Sequence, residues 1–107
     1  MAKQLTFEYD GRDYTLEFTR NTIRTMEQRG FVADDIDKKP MTMLPDLFAG
    51  AFLAHHRNTD RRVIDKIFEL QSDKMGLLDD LAEMFAEPFN TLLADPKEGE
   101  IKRTKNW

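Results

Sequence analysis

The stretch from Met41 to His56, MTMLPDLFAGAFLAHH, constrains the chain more than any other. Leu44, Leu47, Phe48, Ala51, Phe52 and His55 recur at the three-and-four spacing that places residues on one face of a helix. The other side carries Ala49, Gly50, Leu53 and Ala54, so only Asp46 and the trailing Arg57 interrupt the apolar character. A helix apolar on both sides must be covered on both. It is expected to be the buried spine of a small helical domain, or a spine with one side kept for a partner. Thr42 is expected to cap it, with Pro45 in its first turn, where the amides lack intrahelical partners anyway.

The rest of the chain supplies the cover. Leu5, Phe7 and Tyr9 alternate with polar residues, and after Asp10-Gly11 the alternation resumes at Tyr14, Leu16 and Phe18, which reads as a β-hairpin. A two-residue turn pairs Phe7 with Tyr14 but sets Glu8 against Asp13, whereas a four-residue loop pairs Tyr9 with Tyr14 and avoids that repulsion. Both registers build the same aromatic face. Thr19 reads as an N-cap, with Phe18 and Ile23 as a hydrophobic staple. The helix it opens should close at Gly30, with Phe31 folding back onto Met26. Its inner stripe is thin (Ile23, Met26, Gly30), and Arg20, Arg24, Glu27, Gln28 and Arg29 lie outside.

Val32 to Lys39 lacks periodicity and reads as a loop anchored by Ile36. Asn58 to Asp60 carry turn and cap chemistry for a further helix with Val63, Ile64, Ile67, Phe68 and Gln71 on one side, broken by Ser72 to Gly76. The last helix puts Leu77, Leu78, Leu81, Phe85, Phe89 and Leu92 inward and Asp79, Asp80, Glu83 and Glu87 outward. Pro88 keeps the apolar phase and should kink that helix without ending it, leaving the Met84 carbonyl without its usual donor. The fold class is therefore α+β and mostly α, an N-terminal β-hairpin followed by a bundle of about four helices. At 107 residues the chain supports one core. Residues 1–96 should form that domain, and 97–107 a flexible polar tail ending on the sole tryptophan, Trp107.

The residue inventory points away from catalysis. His55 and His56 are adjacent, so on a helix their side chains diverge by about a hundred degrees and cannot share one ion. They are expected as core or helix-end histidines. Asp79, Asp80, Glu83 and Glu87 lie on a solvated face, and Asp34, Asp35 and Asp37 lack the central glycine and later ligands of a calcium loop. No phosphate loop, nucleophile elbow or dinucleotide fingerprint occurs. No enzyme, no metal and no cofactor is expected. A net charge of −4 disfavours nucleic acid as a partner. The one dense basic cluster, Arg57 with Arg61 and Arg62, reads as a solvated helix end complementing the preceding dipole. The chain has no cysteine, no charged-then-apolar leader and no run near the roughly twenty apolar residues of a membrane span, so a soluble cytoplasmic protein with no membrane partner is expected.

What is enriched is soft apolar surface: Met26, Met41, Met43, Met75 and Met84 beside Phe48, Phe52, Phe85 and Phe89. Methionine at that density suits a surface accommodating varied apolar partners. Met41, Met43 and Leu53, on or near the spine, and Trp107 in the tail are the expected partner-binding residues. A spine with two apolar faces in so short a chain also suggests a homo-oligomer.

The order of the hairpin, EFTR at Glu17 to Arg20, MEQRGF at Met26 to Phe31, LPDLFAGAFLAHHR at Leu44 to Arg57, GLLDDLAEMF at Gly76 to Phe85, and a tail ending on tryptophan resembles the small tail assembly chaperones of long-tailed bacteriophages and prophages of Gram-positive bacteria. The likeness covers nearly the whole chain. It implies a protein of the host cytoplasm, absent from the finished particle. That protein binds the long helical tape measure protein, and possibly the tail tube protein, and keeps the former soluble during tube assembly. The family supplies no functional residues to carry over by position. A small regulatory or adaptor module of the same architecture is the other reading.

Overall fold

The computed structural model describes residues 3–107. Strands β1 (Leu5–Tyr9) and β2 (Arg12–Leu16) pair antiparallel with Phe7 opposite Tyr14, Glu8 opposite Asp13 and Tyr9 opposite Arg12. The two-residue turn wins. Asp10 and Gly11 both take positive φ, 53° and 76°, as the tight hairpin turn matched to strand twist requires. Glu8 and Asp13 face water, where two like charges 4 Å apart repel by only about 1 kcal/mol. The Phe7 and Tyr14 rings stack at 5.5 Å and both meet Phe52 edge-on.

Helix α1 (Arg20–Gln28) begins and ends as its sequence predicts. Thr19 accepts from the Thr22 amide at 3.1 Å while the Thr22 hydroxyl accepts from the Thr19 amide at 2.9 Å, a capping box built on threonine. Gly30, at φ 98°, donates to the Glu27 carbonyl and Phe31 donates to that of Met26, the paired bonds of a Schellman close. A single 3₁₀ turn at Ala33–Asp35 follows, and Ile36 packs against the core.

Helix α2 (Pro40–Gly50) departs from the expectation at both ends. It starts two residues before Thr42, with Pro40 at its first position, and no side chain caps it. The missing proline amide is free of cost there. Pro45 consequently lies inside the helix and not in its first turn. The α-helix also stops at Gly50 instead of running to His56. From Phe52 the chain winds more tightly, with amides donating three residues back to Ala49 and Gly50. The Ala51 carbonyl, which a continued helix would give to His55, accepts instead from the Glu17 amide at 3.0 Å. The overwinding turns His55 outward, although Leu47, Phe48, Ala51 and Phe52 stay buried as the core of the molecule.

Helix α3 (Arg61–Leu70) is capped by Asp60, which accepts from the Arg62 amide at 2.8 Å. Ile64 and Ile67 are buried and Phe68 packs 5.2 Å from Phe48, but Val63, expected inward, is exposed. Helix α4 (Lys74–Leu92) begins inside the predicted break. Asp73 adopts the left-handed conformation and caps the Gly76 amide at 3.2 Å; a side chain at Gly76 would collide with that carboxylate. The helix passes Pro88 uninterrupted. Leu77, Leu81 and Met84 are buried, and Phe85 meets Phe18 and Phe31 edge-on. Phe89 and Leu92, expected inward, are 44% and 56% exposed because α1 runs beside them without closing on them, leaving an open groove between the two helices. The Arg20 guanidinium ties the two elements there by donating to the Thr91 carbonyl at 2.8 Å. The architecture is thus α+β, a hairpin followed by four α-helices. Residues beyond Leu93 form no regular element.

Candidate partner-binding surface

The two histidines resolve into structural parts. On the side of β2 that faces away from β1, the Thr15 amide and, just past the strand, the Glu17 amide are taken by the turn after α2. Glu17 donates to the Ala51 carbonyl, and Thr15 donates to His56 Nε2 at 2.9 Å. Because Nε2 accepts, the ring is neutral and carries its proton on Nδ1. Burial holds the His56 pKa below its ordinary value, and the nearby charges of Arg12 and His55 push the same way. His55 Nε2 donates to Glu17 Oε1 at 2.7 Å, and Gln4 donates to the same oxygen at 3.0 Å. The hydrogen bond from His55, then that from Gln4, lowers the Glu17 pKa against the opposing effect of burial. Both histidines therefore stitch the hairpin to the spine.

Among the openings around that stitched core, three are grooves between helices lined in part by apolar side chains. The first, about 330 Å³, lies between the end of α1, the second half of α2 and the start of α3. Met26, Phe52, Leu53 and Ile64 form its floor, with Arg29, Arg57 and Arg61 at its rim. The second runs between α2 and α3 past Met41, Leu44 and Phe68. A ridge divides these two, since Arg61 donates to Asp46 and to Asp65, each at 2.9 Å, and Arg61 and Asp46 line both sides. The third lies between α1 and α4, where Ile23, Pro88, Phe89 and Leu92 are flanked by Arg20, Arg24 and Glu27.

The residues picked from the sequence for partner contact divide. Met41 is 90% exposed at the first turn of α2 and lines the second groove. Met43 is corrected: at 7% exposure it belongs to the core. With Thr42 taken as the cap, Met43 stood at the helix mouth; with the helix starting at Pro40 it lies one turn before Leu47 on the buried face. Leu53 is half-buried, packed on the core by one side and lining the first groove by the other. Trp107 is 93% exposed and does not fold back onto its own domain; the Lys105 ammonium sits 4.6 Å from its ring.

Sequence reading missed Arg29 as part of a site and Phe89 and Leu92 as surface. Nothing in spacing relates Arg29 to Arg57, because only the packing of α1 on α2 brings them to one groove. Among the described residues no group of three or more His, Asp or Glu is placed to hold a metal ion, and no helix is long and apolar enough to cross a membrane. No curated protein and no solved structure matches the chain. A family model does match, over residues 1–107, and the chain belongs to that family, described as a domain of unknown function (DUF5055).

Proposed function

We propose that the protein is a tail assembly chaperone of a long-tailed phage or prophage. It binds the tape measure protein in the host cytoplasm, keeps it soluble while tube subunits polymerise, and leaves before the particle is finished. The observation that carries this reading is the distribution of apolar surface over three separate grooves and not in one pocket. Such a surface suits a long partner that presents one apolar helical segment after another, each laid in a groove. The exposed Met41, Met75, Phe89 and Leu92 add adaptable contacts around it. The blocks that carry the phage resemblance also fall on the joints of the fold: EFTR opens α1, MEQRGF closes it, and LFAGAFLAHHR holds the switch from helix to hairpin stitch.

Co-expression with the tape measure protein of the same phage or prophage tests this directly. The expected result is a soluble complex that elutes as one species, with the tape measure protein insoluble when expressed alone. A tape measure protein that stays insoluble and does not co-elute would overturn the reading and leave the adaptor alternative. Gene order is a second check: a tube protein gene upstream and a very long tape measure gene downstream are expected.

A further inference from the structure

The arginine-rimmed groove between α1, α2 and α3 carries a sign of charge opposite to that of the molecule. The chain has a net charge of −4, yet Arg29, Arg57 and Arg61 converge on this one opening. Asp46 is the carboxylate on its lining, and Arg61 already holds it. Arg61 also holds Asp65, and Arg62, outside the groove, is paired with Asp60. Among the described residues the Arg29 and Arg57 side chains have no ion-pair or hydrogen-bonding partner. Each sits on a different wall, Arg29 at the end of α1 and Arg57 in the turn after α2. Between them the floor is apolar, with the flexible Met26 side chain lying against Gly50.

We propose that this groove docks an amphipathic helix whose apolar stripe is flanked by aspartate and glutamate. Its occupant, on the chaperone reading given above, is an acidic-flanked helix of the tape measure protein. The apolar stripe rests on the half-buried Ala49 and Leu53, above the buried Met26, Phe52 and Ile64, and carboxylates on its two flanks reach Arg29 on one wall and Arg57 on the other. A planar guanidinium binds a carboxylate through two parallel N–H···O bonds, so each free arginine fixes one flank. The charge complementarity sets which helices bind, and the small apolar opening at Leu53 and Ala49 fixes where the stripe sits. A strand is a poorer fit, because the nearest sheet edge, that of β2, is already occupied by Ala51 and His56. At about 330 Å³ the opening is at the small end for a soluble ligand and takes a few side chains of a larger partner.

The test uses the full chain and three fluorescein-labelled helical peptides of about 18 residues, five turns each. All share one Leu/Met stripe and differ only in their flanking residues, which are glutamate, lysine or glutamine. Fluorescence anisotropy is expected to give binding of the glutamate peptide at least about tenfold tighter than the lysine peptide, with the difference shrinking as salt rises. The double variant Arg29→Glu with Arg57→Glu should reverse the order, and Arg29→Gln with Arg57→Gln should abolish it, both with unchanged circular dichroism. Equal binding of the peptides, or an order unaffected by both variants, overturns the proposal. So does self-association of the chain that the double variant abolishes while no peptide binds, which would make a second copy the occupant. Co-purification separates this proposal from the chaperone reading. Reversal with the peptides but no tape measure complex leaves the groove and removes the chaperone; a complex formed equally by both variants does the opposite.

Discussion

His56 and Met43 show how much a single side chain decides. His56 is neutral in the fold, and its pKa is depressed from the ordinary 6.5, chiefly by burial. The unfolded chain therefore binds a proton more readily, and stability is full above about pH 6.5 and falls as pH drops from there through the depressed value. Glu17, depressed from 4.5, adds a second loss that begins only below that pH. Thermal melts should show a decline in two steps on acidification, and His56→Gln, whose amide oxygen can accept from the Thr15 amide, should remove the upper step alone. An unchanged upper step would refute the role assigned to His56. Met43 and Met41 make a matched pair on one helix. Met43→Ala should cost about 2 to 5 kcal/mol as a buried truncation, whereas Met41→Ala should stay within about 0.5 kcal/mol. Urea denaturation of the two variants measures the difference.

At the scale of elements, glycines govern where helices turn and start. Gly50 is the last residue of α2, and a Cβ there would enter the space of the Met26 side chain. Gly50→Ala should destabilise by about 1 to 3 kcal/mol through overpacking, and Gly76→Ala by about 1 kcal/mol through displacement of the Asp73 cap. If both variants melt with the parent, the close approaches are not tight. The same positions mark where the sequence was legible. Most joints made by neighbours in the chain were readable, namely the Thr19 cap, the Gly30 close, the Asp60 cap and the helix through Pro88, but the Pro40 start of α2 and the Asp73 cap of α4 were not. The end of α2 was not either, because a carbonyl diverted to Glu17 and a glycine pressed on Met26 are contacts between distant residues. Phe89 and Leu92 failed for a related reason. Their periodicity marks a face of α4, and only the packing distance of α1, a contact between distant residues, determines how much of that face is covered. Of the arginine-rimmed groove only Leu53 was read from the sequence as a contact; Met41 belongs to the second groove, the Arg57 cluster was read as a solvated helix end, and Arg29 entered by packing alone.

For the whole molecule, the tail is separable from the folded part. Removing residues 97–107 should leave the melting temperature within about 2 °C of the parent, since no core residue lies there. Trp107 then serves as a probe of partner contact. Its emission should be that of a solvated indole in the free protein and shift to the blue in the tape measure complex if the tail takes part in binding. The stitched edge of β2 has a different consequence. A two-stranded sheet ordinarily offers two edges, each of which can recruit a strand from another molecule, and recruitment on both sides builds an endless ribbon. Here one side is filled by a carbonyl and an imidazole, while β1 keeps its outward residues Thr6 and Glu8 in water. Two molecules joined edge to edge through β1 would make a four-stranded sheet sealed at both ends. Growth by that route stops at a pair, and the hairpin cannot seed a fibre while His56 stays in place.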